Sequence, residues 1–313
     1  MKIVTLDGDT LPLPLTPPDW CTAWDFRQTT APHEIVTVLK GAQIVITNKV
    51  PLRAEVLEAL PDLRYICVAA TGYDCIDLEA CRARGILVSN VPGYSTRSVA
   101  EGVIAALFAM RRHLLSYAQS ARTAWPASAH FCVHQQPMLD IHGATLGIIG
   151  QGDIGRAVGS LAHALGMHVM YAERKGATTV RPGYHAFDDV LARSDVLSLH
   201  CPLTPHTHQL IDLDALVQMK PSAVLINTAR GGLINESDLA HALRQGSIAG
   251  AALDVLSTEP PPADHPLLQP TVPNLLLTPH IAWASQQGVT NLLRGINANL
   301  RSFKQGDAQN LVS

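Results

Sequence analysis

The feature that most constrains the fold of this chain is a glycine-rich segment near its middle, Gly150-Gln151-Gly152-Asp153-Ile154-Gly155. The apolar run Leu146-Gly147-Ile148-Ile149 precedes it and is typical of a buried strand. Apolar residues at helical spacing follow it, at Ile154, Ala157-Val158, Leu161-Ala162 and Leu165. A strand, a tight glycine turn and an amphipathic helix in this order indicate the start of a βαβ unit, and therefore a parallel α/β sheet.

Each glycine of this segment has its own task in the turn that the pattern predicts. Gly150 permits the tight bend, Gly152 lets the backbone approach a pyrophosphate, and Gly155 lets the helix pack closely on the strand. The N-terminus of the following helix offers unpaired N–H groups and the positive end of the helix dipole to phosphate oxygens. Glycine strings of this kind often arise by chance, but the flanking strand and helix favour a dinucleotide-binding site here.

An acidic residue follows the next predicted strand. Glu173 lies 18 residues beyond Gly155 and can accept hydrogen bonds from both hydroxyls of an adenosine ribose, while repelling a 2′-phosphate. The adjacent Arg174 and Lys175 could instead pair with such a phosphate. We therefore expect NAD as the cofactor, with NADP left open. The alternative is that Glu173 is an ordinary exposed residue at a strand end.

Six strands alternate with helices from residue 145 onward, which suits one doubly wound nucleotide-binding sheet. The strands are expected at 145–149, 168–171, 196–200, 223–227, 249–254 and 274–278. The helices are expected at 154–165, 187–192, 213–218 and 236–244, with a last one at about 285–303.

A shorter alternating series in the first ninety residues predicts a second parallel sheet. Its strands are expected at 2–6, 44–47, 65–69 and 87–89, and its helices near 33–40, 53–60 and 78–84. One long helix is expected over about 96–117, followed by an irregular segment over 121–142. Trp20 and Trp24 are expected to be packing residues in a proline-rich loop near the N-terminus.

Polar side chains follow three late strands at the points where those strands end. Arg230 comes shortly after the strand that ends at residue 227, and His280 comes after the strand that ends at residue 278. Asp254, and then Glu259, follow the strand between them. Because ligands bind at the carboxyl ends of the strands in an open α/β sheet, these residues should meet at the edge that carries the glycine turn.

An arginine, a carboxylate and a histidine at one sheet edge fit hydride transfer on a 2-hydroxy acid. Oxidation of the alcohol needs a base for the hydroxyl proton, and histidine is the usual choice. A nearby carboxylate stabilises the imidazolium, so His280 can return the proton during reduction. The Arg230 guanidinium can bind the carboxylate and carbonyl oxygens of a 2-oxo acid, and a nicotinamide carries the hydride. Each of these residues, taken alone, is also compatible with a structural role.

Composition excludes several other classes of protein. A chain of 313 residues is long enough for about two domains, and 47% hydrophobic against 16% charged residues excludes intrinsic disorder. A net charge of −3, with no basic run longer than Arg174-Lys175, argues against a nucleic-acid partner. We find no apolar stretch of membrane-spanning length and no signal-peptide core. The six cysteines form no C-x-x-C pair, which indicates reduced thiols in a cytoplasmic protein.

Possible metal ligands are concentrated in one short segment, at His200, Cys201, His206 and His208. Their spacing fits no zinc pattern, so no metal is expected. Cys201 has no base and orienting group assigned to it, so we expect it to contact a cofactor through its backbone and not to act as a nucleophile.

Seven segments of the chain resemble the D-isomer-specific 2-hydroxyacid dehydrogenases, in order and at the family's spacing. They are residues 70–78, 90–96 with 99–101, 146–155, 199–204, 227–232, 253–255 with 259–260, and 279–283. The resemblance extends from about residue 40 to the end. Within the family, residues 171–177 and 280–283 are most similar to glycerate dehydrogenases, that is, hydroxypyruvate reductases. Gln151 and Asn235 depart from the usual family residues, but neither touches the expected chemistry.

The resemblance implies specific roles for residues of this chain. Arg230, Glu259 and His280 match the family's catalytic residues, and backbone N–H groups around Thr71 and Gly72 are expected to bind the substrate carboxylate together with Arg230. Trp283 either lines the substrate pocket or packs in the core. The expected cofactor contacts are Thr96, Gly150, Gly152, Asp153, Ile154, Gly155, Glu173, Cys201, Thr228, Ala229, Asp254, His280 and Ala282.

The resemblance also implies an architecture and a function. A Rossmann NAD-binding domain, residues 97–283, is expected to be inserted into a smaller flavodoxin-like substrate domain, residues 1–96 with 284–313. The expected protein is an NAD- or NADP-dependent oxidoreductase of small D-2-hydroxy acids, with hydroxypyruvate or glyoxylate as the favoured oxo acid. A homodimer is expected, with residues 121–142 in the dimer arm.

Two other functions are compatible with parts of the sequence. One is a dinucleotide-sensing interaction protein, similar to the corepressors that resemble this family and keep the three catalytic residues with little turnover. The other is an S-adenosylmethionine methyltransferase with a similar glycine loop, which leaves the arginine, glutamate and histidine unexplained.

Overall fold

A computed structural model of the chain describes residues 1–312, which divide into two compact units. The split unit contains Met1–Ser95 and the segment from Trp283 onward, and the central unit contains Thr96–Ala282. Each unit has its own parallel sheet flanked by helices. The expected fold class of two parallel α/β domains is confirmed.

The strands of the described residues are β1 (Lys2–Thr5), β2 (Ala23–Phe26), β3 (Ile44–Thr47), β4 (Tyr65–Val68), β5 (Leu87–Ser89), β6 (Thr145–Ile149), β7 (His168–Ala172), β8 (Val196–Leu199), β9 (Val224–Asn227), β10 (Gly250–Leu253) and β11 (Leu275–Leu277). The α-helices are α1 (Ile35–Leu39), α2 (Ala54–Glu58), α3 (Leu78–Ala83), α4 (Thr96–Arg111), α5 (Leu114–Thr123), α6 (Asp153–Ala164), α7 (Phe187–Arg193), α8 (Leu213–Gln218), α9 (Glu236–Gln245) and α10 (Gln286–Lys304). Among residues 1–312, no helix has both the length and the apolar character that a membrane span requires.

The sheet of the split unit has the order β2-β1-β3-β4-β5, and each neighbouring pair is parallel. This is the strand order of flavodoxin-like folds. The central strands β3 and β4 are buried at every residue, so their sequences IVIT and YICV show no alternation of apolar and polar side chains.

The last helix, α10, closes one face of this sheet. Its apolar side chains are fully buried in the same cluster as those of β3, at Leu292, Ile296 and Leu300. The ring of Phe303 stacks on that of Tyr65 in β4, with the centroids 4.2 Å apart. Each such side chain contributes about 1.5–3 kcal/mol when it leaves water, so α10 supplies a large share of this core.

The sheet of the central unit has the order β11-β10-β9-β8-β6-β7, again with each neighbouring pair parallel. An isolated parallel bridge joins Ala172 to His185 beyond β7 and forms the remnant of a further edge strand. With that remnant included, the order from this edge is remnant-β7-β6-β8-β9-β10-β11. Its first six members follow the Rossmann order 3-2-1-4-5-6, and β11 extends the sheet by one strand. The carboxyl ends of β8 to β11 therefore lie on the edge that carries the glycine turn after β6.

Two sequence expectations are wrong. Trp24 is expected in a loop, but it lies on β2, the edge strand beside β1. The segment AWDF is partly exposed and has a charged residue inside it, so it lacks the apolar run that marks a buried strand.

The single helix expected over 96–117 is also wrong, because α4 and α5 are separated at His113. The φ of His113 is 49°, in the left-handed region, which ends one helix before the next begins. Apolar residues continue at helical spacing across the break, so periodicity does not reveal it. The other expected strands and helices agree with the structure to within two residues at each end.

Candidate active site

The glycine turn after β6 fits the phosphates of a dinucleotide. Gly150 has a φ of 100°, and a Cβ there would lie 2.5 Å from the backbone nitrogen of Cys201. A Cβ on Gly155 would overlap the carbonyl oxygen of Gly150. Gly152, the N-cap of α6, has open space where a Cβ would be. Packing within the protein therefore requires glycine at positions 150 and 155. At Gly152 the backbone is open, so a pyrophosphate can approach it.

The charged residues at the start of α6 neutralise each other. The Asp153 carboxylate accepts a hydrogen bond from Arg156 Nη2 at 2.6 Å, and Arg156 also donates to the Gln151 carbonyl at 2.8 Å. Both side chains are exposed, so the pair adds little stability, but it offsets a negative charge beside the phosphate cradle. Ile154 packs into the core below, and Thr96 opens α4, the helix that packs against α6.

The Glu173 carboxylate, directly after β7, is buried and holds hydrogen bonds on both oxygens. Oε2 accepts Arg181 Nε at 2.6 Å, and Oε1 accepts Arg181 Nη2 at 2.8 Å and the Arg174 N–H at 2.9 Å. These donors lower the pKa of Glu173 to about 2, with Arg181 contributing most. Lys175 instead donates to Asp212 at 3.3 Å. Glu173, the residue expected to bind the ribose, is therefore ionised and already hydrogen-bonded to Arg174 and Arg181 of the central unit.

His280 and Glu259 are in direct contact. His280 Nδ1 lies 2.6 Å from Glu259 Oε2, and Glu259 Oε1 accepts the Leu256 N–H at 3.0 Å. His280 has a φ of 54°, and its own N–H donates to the Asp254 carbonyl at 2.8 Å. The side chains of His280 and Glu259 are 26% and 32% exposed, so the pair lies at the surface of the central unit. Two residues that the sequence places at one sheet edge thus form a hydrogen-bonded acid–base pair.

Asp254 holds the turn that carries His280. Its Oδ1 accepts the Thr278 hydroxyl at 2.6 Å and the Ile281 N–H at 2.9 Å, and its Oδ2 accepts the Ala282 N–H at 2.8 Å. A buried carboxylate with three donors is a strong anchor, because each bond to a charged group is stronger than a neutral one. The structure thus gives Asp254 a positioning task in addition to the cofactor contact expected from the sequence.

The segment after β9 presents Arg230 beside the Glu259 segment. The buried Asn227 accepts the Ala229 N–H at 3.0 Å and donates to the Arg230 carbonyl at 2.8 Å, so the turn is braced from below. Arg230 Nη1 donates to the Ala229 carbonyl at 2.7 Å. A Cβ on Gly231 would overlap the backbone of Leu256, so this turn packs directly on the segment that leads to Glu259. The neighbouring Thr228 hydroxyl is buried and has no hydrogen-bond partner within residues 1–312.

Three further residues of the central unit brace the segment that carries Glu259, and none of them is among the site residues expected from the sequence. Glu236 accepts the Ser257 N–H at 2.7 Å and also the Ser257 hydroxyl. His265 Nε2 lies 3.0 Å from Glu236, while its Nδ1 accepts the Leu267 N–H at 3.3 Å. Nε2 is therefore the nitrogen that donates to Glu236. An acidic residue in the first turn of a helix is an ordinary capping residue, so the sequence carries no signal for this network.

The expected substrate residues of the split unit lie after β4 and at the start of its last segment. The Thr71 hydroxyl donates to the Val91 carbonyl at 3.1 Å, and Asn90 donates to the Thr71 carbonyl at 2.7 Å, which fixes the loop that contains Gly72. The Trp283 ring packs edge-on against Tyr94, with centroids 6.1 Å apart. Trp283 is partly buried and packs against the core cluster of the split unit.

Cys201 and His200 are held in uncharged forms by burial. Burial raises the pKa of the Cys201 thiol to about 11, so the reactive thiolate is scarce at neutral pH. Burial also lowers the pKa of His200 to about 4, and its Nε2 lies 2.8 Å from the Ser198 hydroxyl. The described residues contain no cluster of three or more side chains arranged to hold a metal ion.

Comparison with known proteins identifies the family. The family described as D-isomer specific 2-hydroxyacid dehydrogenase, NAD binding domain, matches residues 104–282. A glycerate dehydrogenase of Methylorubrum extorquens is 44% identical over 291 residues, which cover 92% of this chain and 91% of that protein. A hydroxypyruvate reductase of Blautia hydrogenotrophica is 37% identical over 326 residues, covering 100% of both chains. Among solved structures, an acyclic imino acid reductase in complex with NADPH and D-Arg is 30% identical, with a TM-score of 0.86 and 100% of both chains covered.

These relatives match nearly the full length of the chain and are named as enzymes, which favours an oxidoreductase over a dinucleotide-sensing interaction protein. The family expected from the sequence motifs is confirmed, and so is the class of cofactor. The chain belongs to the D-isomer-specific 2-hydroxyacid dehydrogenases and is an NAD-dependent hydroxyacid oxidoreductase.

Proposed function

We propose that this enzyme reduces small 2-oxo acids to D-2-hydroxy acids, with hydroxypyruvate as the preferred substrate and glyoxylate as the next. We further propose that His280, Glu259 and Arg230 are its catalytic residues. The observation that carries this proposal is the 2.6 Å contact between His280 Nδ1 and Glu259 Oε2, at the sheet edge that also carries the glycine turn. The names of the glycerate dehydrogenase and hydroxypyruvate reductase relatives support the choice of substrate.

The proton path follows from that contact. Because Nδ1 is held by Glu259, Nε2 is the nitrogen that delivers a proton to the carbonyl oxygen during reduction and removes it from the hydroxyl during oxidation. The Glu259 carboxylate stabilises the imidazolium and fixes the ring orientation. Glu259 accepts the Leu256 N–H, and the Glu236, Ser257 and His265 network braces the segment that carries Glu259.

Arg230 binds the substrate carboxylate and polarises the carbonyl, since its planar guanidinium can donate to both groups at once. Backbone N–H groups at Thr71 and Gly72 also bind the carboxylate, and Trp283 lines the substrate pocket. A bound nicotinamide dinucleotide supplies the hydride. The residues that would hold it are Thr96, Gly150, Gly152, Asp153, Ile154, Gly155, Cys201, Thr228, Ala229, Asp254 and Ala282. Glu173 would lie beside the adenosine ribose with both carboxylate oxygens engaged by Arg181, and His280 would lie beside the nicotinamide without contributing to NADH affinity.

The test is NADH consumption with a panel of 2-oxo acids, together with His280→Ala. We expect turnover with hydroxypyruvate and glyoxylate, and a loss of about 10²–10⁴-fold in kcat for His280→Ala with unchanged NADH affinity. His241→Ala, which removes an exposed histidine of α9, is the matched control and should retain wild-type kcat. The proposal fails if no small 2-oxo acid is reduced, or if His280→Ala loses NADH affinity while kcat is retained.

We also propose that the enzyme is a cytoplasmic homodimer. The six cysteines are free thiols, as expected in a reducing compartment. The chain after α4, which includes the expected arm over 121–142, exposes several large apolar side chains. A second copy of this chain is the proposed cover for Leu114, Leu115, Trp125, Phe131 and Met138. Light scattering should give twice the chain mass for the wild type and for Val217→Asp on α8, but a monomer for Phe131→Asp. A monomeric wild type would contradict the proposal.

A further inference from the structure

The Glu173 carboxylate has no acceptor capacity left for a ribose. An ionised carboxylate offers about four lone-pair directions. Oε1 accepts the Arg174 N–H and Arg181 Nη2, while Oε2 accepts Arg181 Nε at 2.6 Å and the Arg181 N–H at 3.3 Å. The Glu173 side chain is also only 5% exposed. An adenosine ribose could bind it through both hydroxyls only by displacing bonds from Arg181.

Arg181 is held in place by more than this carboxylate. Its guanidinium lies over the Tyr184 ring, 4.0 Å from the centroid, and the Tyr184 N–H donates to the Arg181 carbonyl at 3.0 Å. The segment that carries it is tied to β7 by hydrogen bonds of His185 to Tyr171 and Glu173, both 2.8 Å. Arg181 is therefore a fixed feature of this sheet edge.

The exposed charge at this edge is positive. Arg181 uses two of its five N–H donors on Glu173, and its side chain is 55% exposed, so the side chain is accessible to a ligand at this edge. The ion pair cancels the charge of Glu173, which removes the repulsion of a 2′-phosphate. Arg174 is exposed beside it, whereas Lys175 donates to Asp212 and lies 5.9 Å from the Phe187 ring centroid.

We propose that Arg181 determines the dinucleotide specificity of this enzyme: it occupies Glu173 and presents its guanidinium to the adenosine 2′ position, so that NADPH binds about as well as NADH. The inference rests on the dinucleotide site of the proposed function. The sequence alone predicts a preference for NAD over NADP, because a carboxylate at position 173 would repel a 2′-phosphate. With Arg181 paired to Glu173, that preference is no longer expected.

The test is direct binding of NADH and NADPH, measured by cofactor fluorescence on the full chain without any oxo acid. We expect the two wild-type Kd values to differ by less than about tenfold. Arg181→Ala should weaken NADPH binding by at least about tenfold, because a charge-assisted contact to the phosphate is lost. NADH binding should be retained or become tighter, because Glu173 then becomes available to the ribose.

Two further variants make the result specific. Lys175→Ala removes a neighbouring cation that is already engaged by Asp212, so both Kd values should stay at the wild-type level. Arg181→Lys keeps the charge but not the two-pronged contact, so its NADPH affinity should fall between those of the wild type and Arg181→Ala. It also serves as the test variant if Arg181→Ala does not fold.

Three results would overturn the inference. They are a wild-type preference for NADH of more than about tenfold, an Arg181→Ala variant that keeps wild-type NADPH affinity or loses NADH affinity, and a loss of NADPH affinity in Lys175→Ala alone. Failure of the proposed function is seen separately, since an enzyme that binds both dinucleotides and reduces no 2-oxo acid contradicts that function while leaving the role of Arg181 intact.

Discussion

Replacing Asp254 with asparagine is expected to loosen the turn that carries His280. The Asp254 carboxylate is 4% exposed and accepts three hydrogen bonds from residues 278–282. Oδ1 serves two of these donors and Oδ2 serves the Ala282 N–H alone. The asparagine oxygen will therefore turn toward the two donors, which leaves its NH2 group facing the Ala282 N–H, donor against donor.

The magnitude follows from the bonds affected. One hydrogen bond to a charged acceptor is lost in a buried site, which costs about 2–3 kcal/mol of unfolding free energy. For a unit the size of Thr96–Ala282, this corresponds to a fall in Tm of about 4–12 °C. The His280 backbone depends on the same turn, and a displacement on the order of 1 Å at a reacting group can reduce kcat by about 10²-fold.

Thermal unfolding and steady-state reduction of hydroxypyruvate measure the two effects. Asp62→Asn, which changes an exposed carboxylate of the split unit, is the control and should leave both Tm and kcat at wild-type values. If Asp254→Asn unfolds at the wild-type Tm and keeps the wild-type kcat, the three hydrogen bonds do not anchor the turn and the reasoning is refuted.

Three other substitutions test separate parts of the central unit. Gly155→Ala places a methyl group against the first glycine of the turn, and Tm should fall by an amount equivalent to about 1–3 kcal/mol; an unchanged Tm would contradict the close packing. Burial pushes the pKa of Asp195 up, but a backbone N–H and Lys220 outweigh it and the pKa is lowered overall. The stability that Asp195 contributes is therefore present above its unfolded pKa of about 3.9 and lost as the pH falls further, so Asp195→Asn should flatten the acid limb of a Tm–pH curve. Glu236→Gln weakens the hydrogen bonds that brace the segment carrying Glu259, so kcat for hydroxypyruvate should fall more than KM rises; a change in KM alone would contradict the positioning role.

Burial on both faces decides which elements can be predicted from the sequence. β3 and β6 are continuous apolar runs between turn residues, so their expected bounds coincide with the observed ones. β2 is an edge strand with exposed ends and carries no such run. The break at His113 depends on one backbone conformation, which the apolar spacing on either side does not record.

The residues of the candidate active site also differ in whether a local sequence pattern marks them. Arg230, Glu259 and His280 can be located in advance because each follows a predicted strand, and parallel strands bring their carboxyl ends to one edge. The contact between Glu236 and His265 joins side chains 29 positions apart, and Arg181 reaches Glu173 from a loop without periodicity. Contacts of this kind depend on tertiary structure, and the local sequence carries no pattern for them.

Because the ribosome makes the chain from the N-terminus, the last segment of the split unit is synthesised only after the whole central unit. Ser89 and Asn90 form hydrogen bonds with residues that are synthesised more than 200 positions later. The Ser89 hydroxyl donates to the Gln309 carbonyl at 2.6 Å, and the Asn90 carbonyl accepts from Asn299 at 2.8 Å. Translation of Thr96–Ala282 takes roughly 10–40 s at about 5–20 residues per second. Throughout that interval the nascent chain exposes the apolar sheet face that α10 later covers. We therefore expect chaperones to bind the nascent N-terminal segment and to be released once α10 emerges.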